Sequence, residues 1–328
     1  MNVYVSHISA LRYWRREEGL GEDPLAQVTT LADVASGVKE VKNADPASHG
    51  IIFTSDNPLN VLVPNTPSRR FANALRPRVW SEAIPDGAFR MIAPNVYVST
   101  PEFVYVQMAS QLSLVELAQL GNELCGGYYL CATTGFDEHV GKKPLTSHAK
   151  LLSFVRSVPQ ARGAQKALRA LRWVANHCNS PMETNTLLML CLPSRMGGWQ
   201  LRLPEVNKEM EASKRLARYV GGTTYIPDFT WEIKVGRKTI YVVGEYDSSE
   251  CHDSDKDAQA TRIRRNDMKS MGYLVTSINK SQMASAKQFE YPARQIARDL
   301  GVYRRALSEK QLKKQDALLQ LLRRESYR

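Results

Sequence analysis

Alternation of apolar and polar positions is sharpest between Tyr225 and Tyr246. YIPDFTWEIKV (Tyr225 to Val235) and KTIYVVGEY (Lys238 to Tyr246) are rich in β-branched and aromatic residues, and only Gly236-Arg237 separates them. That pattern predicts a β-hairpin with a short connection. In a hairpin closed about this turn, paired residue numbers have a constant sum, which sets Asp228 opposite Glu245. Side chains alternate faces along a strand, so Glu245 and Asp247 point the same way.

Around the hairpin the pattern is mostly helical. Ala164 to His177 places Ala167, Leu168, Leu171, Val174 and Ala175 on one side of a helix, with Lys166, Arg169 and Arg172 opposite. Ser180-Pro181-Met182-Glu183 reads as a capping box with proline at the first helical position, leading into TNTLLMLCL. Gly197-Gly198 predicts a turn, and NKEMEASKRLARY is helix-like. Ser254 to Met271 is the next helix, carrying Arg262, Arg265 and Lys269 on one face, ended by Gly272 and followed by a strand, YLVTSI. Two helices close the chain, the last opened by Ser308 with Gln311 at the capping-box position. The order helix, hairpin, helix, strand predicts an α/β core with helices on both faces.

The first half reads differently. Ser6 caps a short helix ending near Arg16, and from Ile51 short β-like pieces (IIFTS, NVLVP, NVYVST) are broken by prolines. Thr100-Pro101 opens one helix and Ser113 another. Residues 132–148 read as a linker or long loop. This half is α+β, nothing in it looks catalytic, and the basic, aromatic ALRYWRR (Ala10 to Arg16) suits packing with a solvated edge as well as it suits a recognition helix.

At 328 residues the chain has room for two cores. No stretch approaches a membrane span, and the N-terminus lacks the order of a secretory signal, so a cytoplasmic protein with no membrane contact is expected. The five cysteines include no CxxC pair, which argues against a disulfide framework or structural zinc. Charge is unevenly spread. Residues 1–139 carry 10 Lys/Arg against 15 Asp/Glu and residues 140–218 carry 14 against 4; residues 219–293 balance at 10 each, and residues 294–328 hold 10 against 4. The segments flanking the hairpin therefore hold the positive excess. That layout fits a polyanion gripped on basic flanks, and it equally fits helices with solvated outer faces.

Converging carboxylates repel one another unless a cation neutralises them. An all-oxygen set at Asp228, Glu245 and Asp247 favours Mg²⁺ or Mn²⁺ over zinc. The alternative is that some of these acids sit in solvent at the strand ends.

SPMET, LPSRMGGWQL, PEVN, PDFTW, VVGEYDS, the Asp257-x4-Arg262 spacing and MGYLVTSI, in that order, resemble an actinobacterial domain related to very-short-patch repair endonucleases, within the PD-(D/E)XK nuclease superfamily. More weakly, NVLVPNTPSRR and APNVYVSTPEFVYVQMA resemble the N-terminal region of AbiEi-type antitoxin proteins. The resemblance implies a restriction-endonuclease-like α/β core, a mixed sheet flanked by helices, at residues 156–292. A smaller, AbiEi-antitoxin-like α+β domain (1–155) would precede it and basic C-terminal helices (293–328) would follow. It implies a Mg²⁺- or Mn²⁺-dependent phosphodiester hydrolase acting on DNA, with Asp228 and Glu245 as metal ligands and Glu183 joining from its helix. Arg262, Arg265 and Lys269 would contact nucleic acid. Glu183 also suits a purely capping role. The superfamily's usual Lys, two residues after the second acid, is here Asp247, which becomes a further catalytic-site acid or a mark of lost activity; Lys234 or Lys256 would be the substitutes. Three readings follow: a DNA endonuclease or nickase, a non-catalytic DNA-binding regulator of the antitoxin type with a cognate toxin as partner, and a protein-interaction module.

Overall fold

The computed structural model describes residues 1–16, 25–130, 138–213, 224–247 and 255–323; for residues 138–140, 255–258, 260 and 261 it describes the backbone alone. Two compact units meet in sequence at Val174/Ala175. The junction lies about twenty residues beyond the expected boundary at 155, because the intervening helices bury their apolar faces in the first unit. That unit is accordingly the larger one.

In the first unit β1 (Val3–Val5) leads into α1 (His7–Arg16), then β2 (Leu25–Ala26), α2 (Val38–Asn43), β3 (Leu59–Val63), β4 (Leu75–Val79), β5 (Phe89–Ala93) and β6 (Val96–Ser99). The strands form one mixed sheet in the order β2-β5-β6-β1-β3-β4. VYV at residues 3–5 is fully buried near its middle, whereas IIFTS forms no strand. Next come α3 (Pro101–Met108), which starts after Thr100 with Pro101 at its first position and no side-chain cap, and α4 (Leu114–Leu124), capped by Ser113 with Glu116 completing a capping box.

A short ribbon of β7 (Tyr128–Leu130) and β8 (Glu138–Val140) interrupts the expected linker, and α5 (His148–Ser157) and α6 (Ala164–Ala170) follow. Helix α5 packs on α3, and α6 on α4. At the end of this layer the missing side chain of Gly121 makes room for Val174, whose Cγ2 lies only 2.5 Å from where a Cβ would sit. Helix α6 stops at Ala170, well short of His177, and passes through a 3-10 turn into extended backbone at Val174.

ALRYWRR serves packing. Ala10, Leu11, Tyr13 and Trp14 are buried, and buried Arg15 makes a two-point ion pair with Glu123 (Nε to Oε1, 2.7 Å; Nη2 to Oε2, 2.9 Å). The backbone N–H of Leu130 donates to the same Glu123 Oε1. His7 is buried beside Ser6, and burial, with the charge of Arg78, pulls its imidazole down to about 3.

The second unit opens with α7 (Pro181–Cys191), continues through β9 (Glu205–Val206), β10 (Met210–Glu211), β11 (Thr224–Tyr225), β12 (Phe229–Val235) and β13 (Lys238–Asp247), and closes with α8 (Asp255–Ser270), β14 (Leu274–Asn279), α9 (Ala286–Asp299) and α10 (Glu309–Arg323). The helix expected from Asn207 is instead strand β10 at its start, paired with β11; the rest of that expectation, residues 214–219, lies outside the described residues. The main sheet runs β14-β13-β12-β9, with β12 antiparallel and β14 parallel to β13. A parallel neighbour requires a crossover, which α8 supplies.

Burial follows the two faces of the sheet. Val243 packs with Met268 of α8 and with Met210 and Tyr225, with Tyr241 and Val275 beside them. Gly244 lies on the opposite face between Phe229 and Ile296 of α9, close enough that a Cβ there would touch both. Mixed α/β structure with helices on both sides of the sheet is thus observed. The tail belongs to this unit: α9 packs on β13 and β14, and α10 on α7 and α9.

Candidate active site

The hairpin closes as the residue pattern predicts. Phe229 pairs with Gly244 and Val235 with Lys238, so Asp228, one step before β12, lies opposite Glu245. The Tyr246 backbone N–H donates to Asp228 Oδ2 at 2.6 Å, tying the start of β12 to the end of β13. Glu245 and Asp247 share the α8 side of the sheet, in keeping with the two-residue period.

What neutralises those acids is a side chain of α8. Arg265 donates through Nε to Glu245 Oε2 at 3.0 Å and through Nη2 to Asp247 Oδ2 at 2.7 Å. Burial opposes the charge of Arg265, and the two carboxylates outweigh it and raise its pKa. Arg264 approaches Glu245 Oε1 at 3.9 Å, and its buried Nε has no hydrogen-bond partner among the described residues. Of the three cations expected on nucleic acid, Arg265 therefore serves the carboxylates, while Arg262 and Lys269 are exposed on α8. Lys234 is exposed six positions along β12 from Asp228, about 20 Å at strand rise, too far to replace a cation at Glu245. The side chains of Lys256 and Asp257 lie outside the described residues.

Glu183 is buried in the first turn of α7. Ser180 Oγ accepts its backbone N–H at 3.1 Å, half of the expected capping box. The return bond goes elsewhere: Glu183 Oε2 accepts from the backbone N–H of Asn179 (2.8 Å) and from Asn207 Nδ2 (2.7 Å). Asn207 also donates its backbone N–H to the Asp228 carbonyl at 3.0 Å. One asparagine thereby couples the helix acid to the strand acid. It does so at a φ of +48°, a conformation asparagine adopts more readily than most residues.

Asn207 and Arg264 are the site residues that pattern reading missed. A conformational signal for Asn207 lies only in its residue type, and Arg264 is hidden in a basic helix whose facing cannot be read without the sheet.

The electrostatics follow from this packing. Burial, then the negative charge of Glu183, pushes the Asp228 carboxyl up to about 8, with Glu245 adding to the rise and the Tyr246 N–H and Arg264 opposing it. Burial also raises Glu183, against the hydrogen bonds from Asn179, Asn207 and Ser180. The neighbouring Cys178 thiol is raised by burial and by the same two acids.

Among the described residues no three His, Cys, Asp or Glu side chains form a ready ligand cluster. The chemistry of Asp228 and Glu183 nonetheless fits a hard divalent cation: both offer carboxylate oxygens, and their mutual repulsion is relieved by positive charge. Glu245 is engaged by Arg265. No described helix is long and apolar enough to cross a membrane. No family model matches the chain, and no curated protein or solved structure matches it either.

Proposed function

We propose that the second unit is a Mg²⁺- or Mn²⁺-dependent DNA phosphodiesterase, an endonuclease or nickase of the PD-(D/E)XK kind, acting in the cytoplasm. The observation that carries this reading is Asp228, held by the Tyr246 N–H and raised to about 8 beside Glu183: a buried acid pair whose charge calls for a cation. Asp228 and Glu183 would hold the metal, and Glu245 would add an oxygen in exchange for its Arg265 contact. Such an ion, when bound, activates a water molecule and offsets phosphate charge.

The remaining work falls to the chain's own groups. Arg264 and Arg265 bring two guanidiniums to the carboxylates, where they suit phosphate oxygens, in place of the lysine that Asp247 replaces. Asn207 keeps α7 and β12 in step, so Glu183 and Asp228 stay mutually oriented. Exposed Arg262 and Lys269 extend positive charge along α8 toward a DNA backbone.

The test is conversion of supercoiled plasmid to nicked or linear forms with Mn²⁺, comparing wild type with Asp228→Asn and Glu183→Gln. Activity lost in both variants supports the reading, and identical behaviour of all three proteins refutes it.

One observation favours a second reading. Arg265 already neutralises Glu245 and Asp247, as suits a non-catalytic, antitoxin-type regulator that binds DNA and a cognate toxin. On that reading DNA binding is insensitive to Mg²⁺ and survives Asp228→Asn.

A further inference from the structure

Among the polar side-chain atoms of the second unit that are buried with no hydrogen-bond partner among the described residues are Trp199 Nε1, Arg304 Nε and Gln315 Oε1. All three residues line one cavity of about 410 Å³. Its walls are built by close packing. Gly197, at a φ of +96°, brings the turn after α7 onto α10, where a Cβ would lie 2.4 Å from the Lys314 carbonyl. Trp199 and Gln315 are each only 2% exposed. Arg304 Nη2 donates to the Trp199 carbonyl at 2.6 Å, which holds the α9–α10 connection over the opening.

Buried donors and acceptors left unpaired are costly, and a ligand that enters this cavity and draws these side chains toward it relieves that cost. An indole N–H and a guanidinium N–H ask for acceptors, and the amide oxygen asks for a donor. The rim adds charge and an aromatic face. Arg305 and Tyr303 are exposed, Tyr303 at 87%, and both also line an adjoining cavity of about 460 Å³ that includes Arg298. Arginines suit a phosphate, and an exposed tyrosine ring suits a stacked base. The volume lies in the range of small-ligand pockets.

We propose that this cavity binds a nucleoside 5′-monophosphate unit, either as the free nucleotide or as the 5′-phosphorylated end of a single strand. The proposal shares no residue with the carboxylate cluster and stands whether or not that cluster is catalytic.

Calorimetry on the full chain tests it, with the four deoxynucleoside 5′-monophosphates, inorganic phosphate, and a single-stranded decamer with and without a 5′-phosphate as probes. At least one monophosphate is expected to bind at a single site about tenfold or more tighter than inorganic phosphate. Tyr303→Ala, an exposed change, should lower that affinity by about tenfold and leave inorganic phosphate binding alone. Arg305→Ala should weaken both, and Asp228→Asn neither, which separates this site from the metal-dependent one. A phosphorylated decamer that outcompetes the monophosphate, and loses that advantage in Tyr303→Ala, assigns the site to a strand end; equal affinities assign it to the free nucleotide. The proposal fails if no nucleotide probe binds, if nucleotides bind no tighter than inorganic phosphate, or if Tyr303→Ala and Arg305→Ala bind like wild type.

Discussion

Arg265 Nε donates to Glu245 Oε2 at 3.0 Å while its Nη2 donates to Asp247 Oδ2 at 2.7 Å, placing one guanidinium between the two carboxylates. Arg265→Met removes that cation and leaves two acids facing each other. The metal-free protein should lose about 2 kcal/mol in urea titrations, while Mn²⁺ affinity by calorimetry rises about tenfold or more as the ion takes over the vacated role. Unchanged Mn²⁺ affinity would show that arginine and metal do not compete.

Asp228 makes stability depend on pH in a defined direction. Its carboxyl is raised from 3.8 in the unfolded chain to about 8 in the fold, so between those values the folded state holds the proton longer. Metal-free stability should therefore fall as pH rises from about 4 to about 8, by up to about 1.4 kcal/mol per pH unit, and level off above. Asp228→Asn should lose this slope, and Mg²⁺ at pH 8 should raise the melting temperature of wild type but not of the variant.

Glu183→Gln tests the ligand role against the capping role. Glutamine keeps an oxygen for the Asn179 and Asn207 donors, so the melting temperature should stay within a few degrees of wild type. The charge is lost, which lowers the Asp228 pKa and weakens metal binding. A variant that melts normally yet binds Mn²⁺ as wild type does would reduce Glu183 to a cap.

Arg262 and Lys269 are exposed on α8, so replacing both with alanine should leave stability within about 0.5 kcal/mol. If they touch phosphates, the slope of log K against log salt for duplex DNA should become shallower by about two. An unaltered slope would remove α8 from the DNA-contacting surface.

In the first unit the Arg15–Glu123 pair is nearly inaccessible, with 1% exposure on each side chain. Glu123→Ala should cost about 3–5 kcal/mol, because it strands a buried guanidinium. Chemical denaturation followed by circular dichroism measures the loss.

Elements whose signals are local were legible in the chain itself. The hairpin about Gly236-Arg237, the helix start at Thr100-Pro101, the caps at Ser113, Ser180 and Ser308, and the Asp228–Glu245 register all depend on neighbours within a turn or across one short connection. Strand β1 escaped notice because three residues carry too little periodicity, and its burial comes from β3 and β6, far away in sequence. Residues 207–213 carry helical spacing, yet the pairing of Met210-Glu211 with Thr224-Tyr225 prevails in the fold.

Sequence by itself determined that Asp228 lies opposite Glu245 and that Asp247 shares the face of Glu245, because strand alternation and a two-residue turn set that register. Only the tertiary structure decided what balances them. Which face α8 turns to the sheet depends on Met268 packing against Val243, and that packing delivers Arg265 rather than Arg262 or Lys269 to Glu245 and Asp247. Likewise the partner of Glu183 depends on a loop conformation at Asn207, twenty-four residues away, which no local spacing encodes.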